Sequence, residues 1–116
     1  MEISIGMILS LLLMHFIFDW RLQSREIAEN KSKSVKALLH HVKIYGCGLA
    51  TFTICWQVSI LWFVINLFVH FATDYVSSKI SSHLYKNKEF TQFWNMIGLD
   101  QLIHYATLFG TLALFK

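Results

Sequence analysis

Every aspartate in this sequence stands four residues from a histidine. The pairs are His15–Asp19, His70–Asp74 and Asp100–His104, and they use all three Asp and half of the six His in 116 residues. On a helix, residues four apart share a face with Cβ atoms about 6 Å apart, so both side chains reach one point. The same spacing lets paired helical histidines bind zinc in metalloproteases. Imidazole and carboxylate together suit Zn, Mn or Fe. With His41 added, the candidate ligands of a divalent metal are His15, Asp19, His41, His70, Asp74, Asp100 and His104. Asp19, Asp74 and Asp100 are also the catalytic candidates, one of them serving as general base once the others hold the ion. His40, beside His41, is a supporting candidate. A single His–Asp pair can simply neutralise itself, and polar contacts between membrane helices aid association by under about 2 kcal/mol each. Seven such side chains exceed what that role requires.

Other chemistries lack their signatures. The sequence has no Ser nucleophile motif, no Gly-rich phosphate loop and no dinucleotide fingerprint. Cys47 and Cys55 form no CxxC pair. On one helix they stand roughly 12 Å apart along the axis, beyond the roughly 7 Å that a disulfide spans. They are expected as buried, unreactive thiols.

The elements that position these residues follow from composition. The chain is 55% hydrophobic, 16% aromatic and only 15% charged, with a mean hydropathy of +0.49. A water-soluble domain carries about 25% charged residues, and a short chain buries only a modest share of its surface. The expectation is an all-α integral membrane bundle. Residues 3–18 are apolar apart from Ser4, Ser10 and His15; 44–73 contains no Asp, Glu, Lys or Arg; 90–115 contains only Asp100 of these. A spanning helix needs about 20 mostly apolar residues. The first stretch is read as a retained helix rather than a signal peptide, because Glu2 replaces the basic n-region and no A-x-A-like site follows Trp20.

Charge decides the number of crossings. Nine of the ten basic residues fall into two clusters, one from Arg21 to Lys43 and one comprising Lys79, Lys86 and Lys88. Two crossings between the clusters, turning near residues 57–59, put both on the cytoplasmic side as the positive-inside rule prefers. The prediction is one transmembrane domain, 1–116, with four helices at about 3–23, 34–56, 59–84 and 90–115. It implies a multi-pass membrane protein with both termini, including Lys116, facing outward. All the His/Asp sets then lie in the cytoplasmic half, where they can converge. Its partners are membrane lipids, with a homo-oligomer possible. The basic residues are interleaved with Glu26, Glu29 and Asn30 and match no nucleic-acid-binding motif, so nucleic acid is excluded as a partner. Trp20, Trp94 and Tyr85 are expected in one interfacial belt, Trp56 and Trp62 at the opposite interface. His83 is expected to be solvated.

The blocks HFIFDWRLQ (15–23), Lys31, LLHHVKIY (38–45), NLFVHFATDYVSSK (66–79) and GLDQLIH (98–104) cover nearly the whole chain in order. Together they resemble a family of small integral membrane proteins from phages and bacteria that carries a domain of unknown function, numbered 3307. The resemblance implies that Gln23, Lys31, Lys79 and Gln101 belong with the site, and that His41 rather than His40 is the matching histidine. It supplies no activity. More remotely, the pattern is similar to inner-membrane metal-dependent hydrolases, a fold-level analogy. The leading expectation is therefore a metal-dependent hydrolase acting on a lipid or lipid-linked substrate at the cytoplasmic leaflet, with Lys31 and Lys79 holding an anionic head group. The alternatives are an ion, proton or metal transporter, which needs polar residues reaching both faces, and a non-enzymatic phage membrane factor, which needs no His/Asp cluster.

Overall fold

Serines start four of the helices. The hydroxyls of Ser4, Ser24, Ser34 and Ser59 accept from the backbone N–H groups of Met7, Ile27, Ala37 and Leu61, satisfying donors that a helix start otherwise leaves orphaned. The computed structural model, which describes residues 2–115, is all-helical, with no strand among the described residues. Helix α1 (Ile5–His15) runs directly into a π-helical segment (Phe16–Arg21), followed by a short α2 (Arg25–Asn30) and three long helices, α3 (Val35–Trp56), α4 (Ile60–Lys86) and α5 (Phe90–Phe115). Helix α3 stops at Gln57, whose left-handed conformation (φ 52°) turns the chain and lets Val58 N–H reach the Thr53 carbonyl. The all-α expectation holds. The helix expected over 3–23 is instead α1 plus the π-segment, and the expected connector from 24 to 34 contains α2. Met1 and Lys116, the latter expected on the outer side, lie outside the described residues.

Helices α3, α4 and α5 pack in chain order, with α1 and the π-segment against α3. One end of the interior is apolar: Met7, Leu11, Met14, Leu49, Phe52, Trp62, Leu108 and Leu112 close on each other. Trp62 is wholly buried there, its indole N–H donating to the Leu108 carbonyl at 3.0 Å. It is a core residue rather than the interfacial anchor expected. Cys47 and Cys55 are also corrected: both are free and exposed on the outer side of α3.

The other end of the interior is polar, while large apolar side chains lie on the surface. Ile5, Ile54, Phe68 and Leu114 are each more than 70% exposed, while His15, Asp19, His41, Asn66, His70, Asp74, Asp100 and His104 are buried. By length and mean hydropathy (1.4 over eighteen residues) α4 is the one described helix that is long and apolar enough to cross a membrane. Helices α3 and α5 carry His40, His41 and Lys43, and Asn95, Asp100, Gln101 and His104. Those polar residues lower their mean hydropathy.

Candidate metal centre

Asp19 owes its position to the π-segment. There the N–H of Leu22 reaches five residues back to the Ile17 carbonyl, and the wider turn carries the Asp19 side chain inward, buried among α3, α4 and α5. Single π-turns of this kind occur often at functional sites. Close approach to α3 requires Gly48: a Cβ there would stand 2.6 Å from two ring atoms of Phe18 and 3.0 Å from the Met14 sulfur.

Four donor atoms then converge. His41 Nε2 lies 3.0 Å from Asp19 Oδ1, 3.1 Å from Asp74 Oδ2 and 3.1 Å from His70 Nε2. His70 Nε2 lies 3.4 Å from Asp19 Oδ1 and 3.6 Å from Asp74 Oδ2. These are five of the six edges of the tetrahedron that the four atoms define, and all four lie within 4.8 Å of one another. Asp19, His41, His70 and Asp74 can hold a metal ion, and two further groups share members with them: His15, Asp19 and His104, and Asp74, Asp100 and His104.

His15, a member of the group with Asp19 and His104, also makes two side-chain hydrogen bonds. The amide oxygen of Gln101 can only accept, so His15 Nε2 donates to it at 2.8 Å and Nδ1 accepts from the Tyr45 hydroxyl at 2.9 Å. With both nitrogens engaged, His15 orients Gln101. The amide nitrogen of Gln101 in turn donates to Asp19 Oδ2 at 3.3 Å and Asp100 Oδ2 at 3.2 Å. This is the kind of supporting shell that fixes ligands in place. Lys31, at the end of α2, donates to Asp74 Oδ2 at 3.3 Å. Gln23 is half-buried with its side-chain oxygen unpartnered.

Two expected residues stand apart. His40 is exposed, one residue around the helix from buried His41. Lys79 is exposed as well, donating to the Ser32 carbonyl at 3.0 Å and lying over the Tyr75 ring. It ties the α2–α3 connection to α4 and does not reach the cluster. His83 is exposed and bonded to Asn87.

Two contributors escaped the sequence reading. Tyr45 stacks on His70 with ring centroids 3.8 Å apart and bonds His15; its place four residues after His41 was the available signal. Ser77 donates to Asp100 Oδ1 at 2.5 Å, and it follows Asp74 by three, again on one face. Beside the cluster a cavity of about 520 Å³ is lined by Asp19, Gln23, Lys31, Ser78, Asp100 and Gln101, among others.

Several buried polar atoms have no protein partner: Asp74 Oδ1, Nδ1 of His41 and of His70, both ring nitrogens of His104, and Ser78 Oγ. Leaving such an atom unsatisfied costs about 1–3 kcal/mol, so internal hydrogen bonding alone does not account for the cluster. No curated protein and no solved structure matches the chain. A family model does match, over residues 7–115, and the chain belongs to that family, described as Protein of unknown function (DUF3307).

Proposed function

We propose that this protein is a multi-pass protein of the bacterial inner membrane, with a divalent metal held by Asp19, His41, His70 and Asp74 in the cytoplasmic half of the bundle. In this reading it hydrolyses an ester of a lipid or lipid-linked substrate. The observation that carries it is the convergence of four buried donors, with His41 Nε2 3.0–3.1 Å and His70 Nε2 3.4–3.6 Å from the Asp19 and Asp74 oxygens. The family match brings no activity with it, so the reading rests on the site.

The membrane part is supported by the pairing of a buried His/Asp cluster with exposed Leu, Ile and Phe. That arrangement suits a bundle solvated by lipid, in which intramembrane ionisable groups face the interior and mark function. The longest dimension, 47 Å, matches a bilayer of about 40–45 Å including head groups. In the four-crossing reading, α1 with its π-segment, α3, α4 and α5 cross, and α2 lies at the cytoplasmic surface.

The hydrolase part is supported by the cavity. It brings Lys31, a charge partner for an anionic head group, within reach of Asp19 and Asp100. A divalent ion supplies Lewis-acid activation of water and of a phosphoryl or acyl oxygen. The residues divide the rest: Lys31 and the serine-lined wall would receive the head group, and Asp100, on the cavity wall, would take a proton from the attacking water and return it to the leaving oxygen as the ester bond breaks. The apolar end of the interior, closed by Leu11, Leu49, Trp62 and Leu112, weighs against a conduit through the bundle.

The test is detergent-purified protein, stripped with a chelator and reloaded with Zn or Mn, assayed against phospholipids and lipid-linked phosphates. Turnover should return with metal and be lost in Asp19→Ala and His70→Ala. A metal-loaded protein that turns over none of them, and whose metal exchanges across vesicles, would replace the hydrolase by a transporter.

A further inference from the structure

The tetrahedral position uses only one oxygen of Asp74. Its Oδ2 faces His41 and His70, whereas Oδ1 turns to the opposite side and lies 3.4 Å from His104 Nε2. Both ring nitrogens of His104 and Asp74 Oδ1 lack any hydrogen-bond partner, and His104 is 2% exposed. Asp100 approaches the same histidine, with its Oδ2 3.5 Å from Nδ1. The two carboxylates face different nitrogens of the ring; with one nitrogen taken as donor, Asp74, Asp100 and His104 offer three atoms within 4.8 Å of one another, close enough to share an ion.

The geometry points to a second divalent-cation position at Asp74, Asp100 and His104, joined to the first through Asp74 as a bridging carboxylate. This inference rests on the metal reading above and extends it. Paired metals in hydrolytic sites stand about 3.5–4 Å apart, a separation that a bridging carboxylate spans.

The two positions differ in openness. The first has four protein donors; the second has three, the number that catalytic sites keep while leaving a position free for water. Asp100 also lines the cavity, so the free position faces the space where a substrate would sit. Gln101 and Ser77 hold the Asp100 carboxylate from the flanks.

Charge makes the second position dependent on an anion. Asp19, Asp74 and Asp100 are opposed within the cluster by Lys31, and ligand imidazoles are neutral. One divalent ion balances that set. A second leaves two positive charges, which a phosphate in the cavity offsets.

The experiment is metal stoichiometry on the whole protein in detergent. Protein stripped by chelator is reloaded with Mn(II), with and without inorganic phosphate, washed, and read by elemental analysis and electron paramagnetic resonance. Wild type with phosphate should hold two ions per chain and give an exchange-coupled signal. Asp100→Asn and His104→Gln should each hold one and give an uncoupled signal. Asp100→Asn keeps an oxygen for the Ser77 hydroxyl, so it remains informative should His104→Gln fail to fold by circular dichroism. One ion in wild type and in both variants would overturn the second position and leave the first standing. Two ions retained in both variants would also overturn it. No ion in wild type would overturn the metal reading itself.

Discussion

Gly48→Ala tests whether the π-segment is placed by contact with α3. The added methyl would stand 2.6 Å from Phe18 Cγ and Cδ2, where ordinary carbon contacts are about 3.5–4.0 Å. Relief therefore needs a shift of roughly 1 Å. Rotation about χ2 leaves Cγ in place, so relief comes from a χ1 change out of the packed rotamer or from a shift of the backbone that carries Asp19, and both disturb the π-segment. Overpacking of this kind costs about 1–3 kcal/mol. A metal site tolerates about 0.2 Å of error in its ligand distances, so a displaced Asp19 should weaken metal binding by about 10–100-fold, the range for loss of ligand support. The assay is competition of the detergent-purified protein with a chromophoric chelator, beside thermal unfolding of the metal-free form. Gly98→Ala and Gly110→Ala are the controls: a Cβ at either meets nothing within 4 Å, and alanine in a helix interior is worth about 0.5–1 kcal/mol over glycine. They should bind metal as wild type does and melt no lower. Gly48→Ala with wild-type affinity would refute the argument, because it would mean that Asp19 does not depend on this contact.

Asp74→Asn should release bound metal, since it removes charge at the convergence point, while His83→Ala on the exposed end of α4 should not; equal metal in both variants would sink the site assignment. Trp62→Phe removes the indole N–H that meets the Leu108 carbonyl, and should destabilise the protein by about 1–3 kcal/mol with metal content unchanged, as read by thermal unfolding and elemental analysis. Reporter fusions after Ser32 and after Asn87 should both register the cytoplasmic side; opposite sides would remove the four-crossing reading.

The elements could be read because polarity is punctuated. Serines mark the helix starts, and the uncharged runs mark where helices lie. Facing could be read only where a polar residue fixed it. A helix that is apolar all round gives no sign of which side is inward, and this is why Trp62 and the two cysteines stand opposite to expectation. The π-turn left no trace either, since HFIFDWR reads as an ordinary helical stretch. It arises from tertiary contact, with Phe18 against a bare Gly48 and Asp19 drawn toward His41.

The site illustrates what spacing alone can and cannot give. The i,i+4 rule picked out residues that the fold brings together, but not their grouping. Only His70–Asp74 supplies both members to the tetrahedron. Asp19 joins it without His15, whose nitrogens are held by Tyr45 and Gln101, and Asp100 and His104 turn to the far oxygen of Asp74. His41 had no aspartate at four residues and enters through α3 packing alone. Three carboxylates gathered in a low-dielectric interior repel one another, and Lys31 offsets only one of them. Helical spacing brings each pair to a common face; a cation held by these residues would offset the repulsion that joining those faces creates.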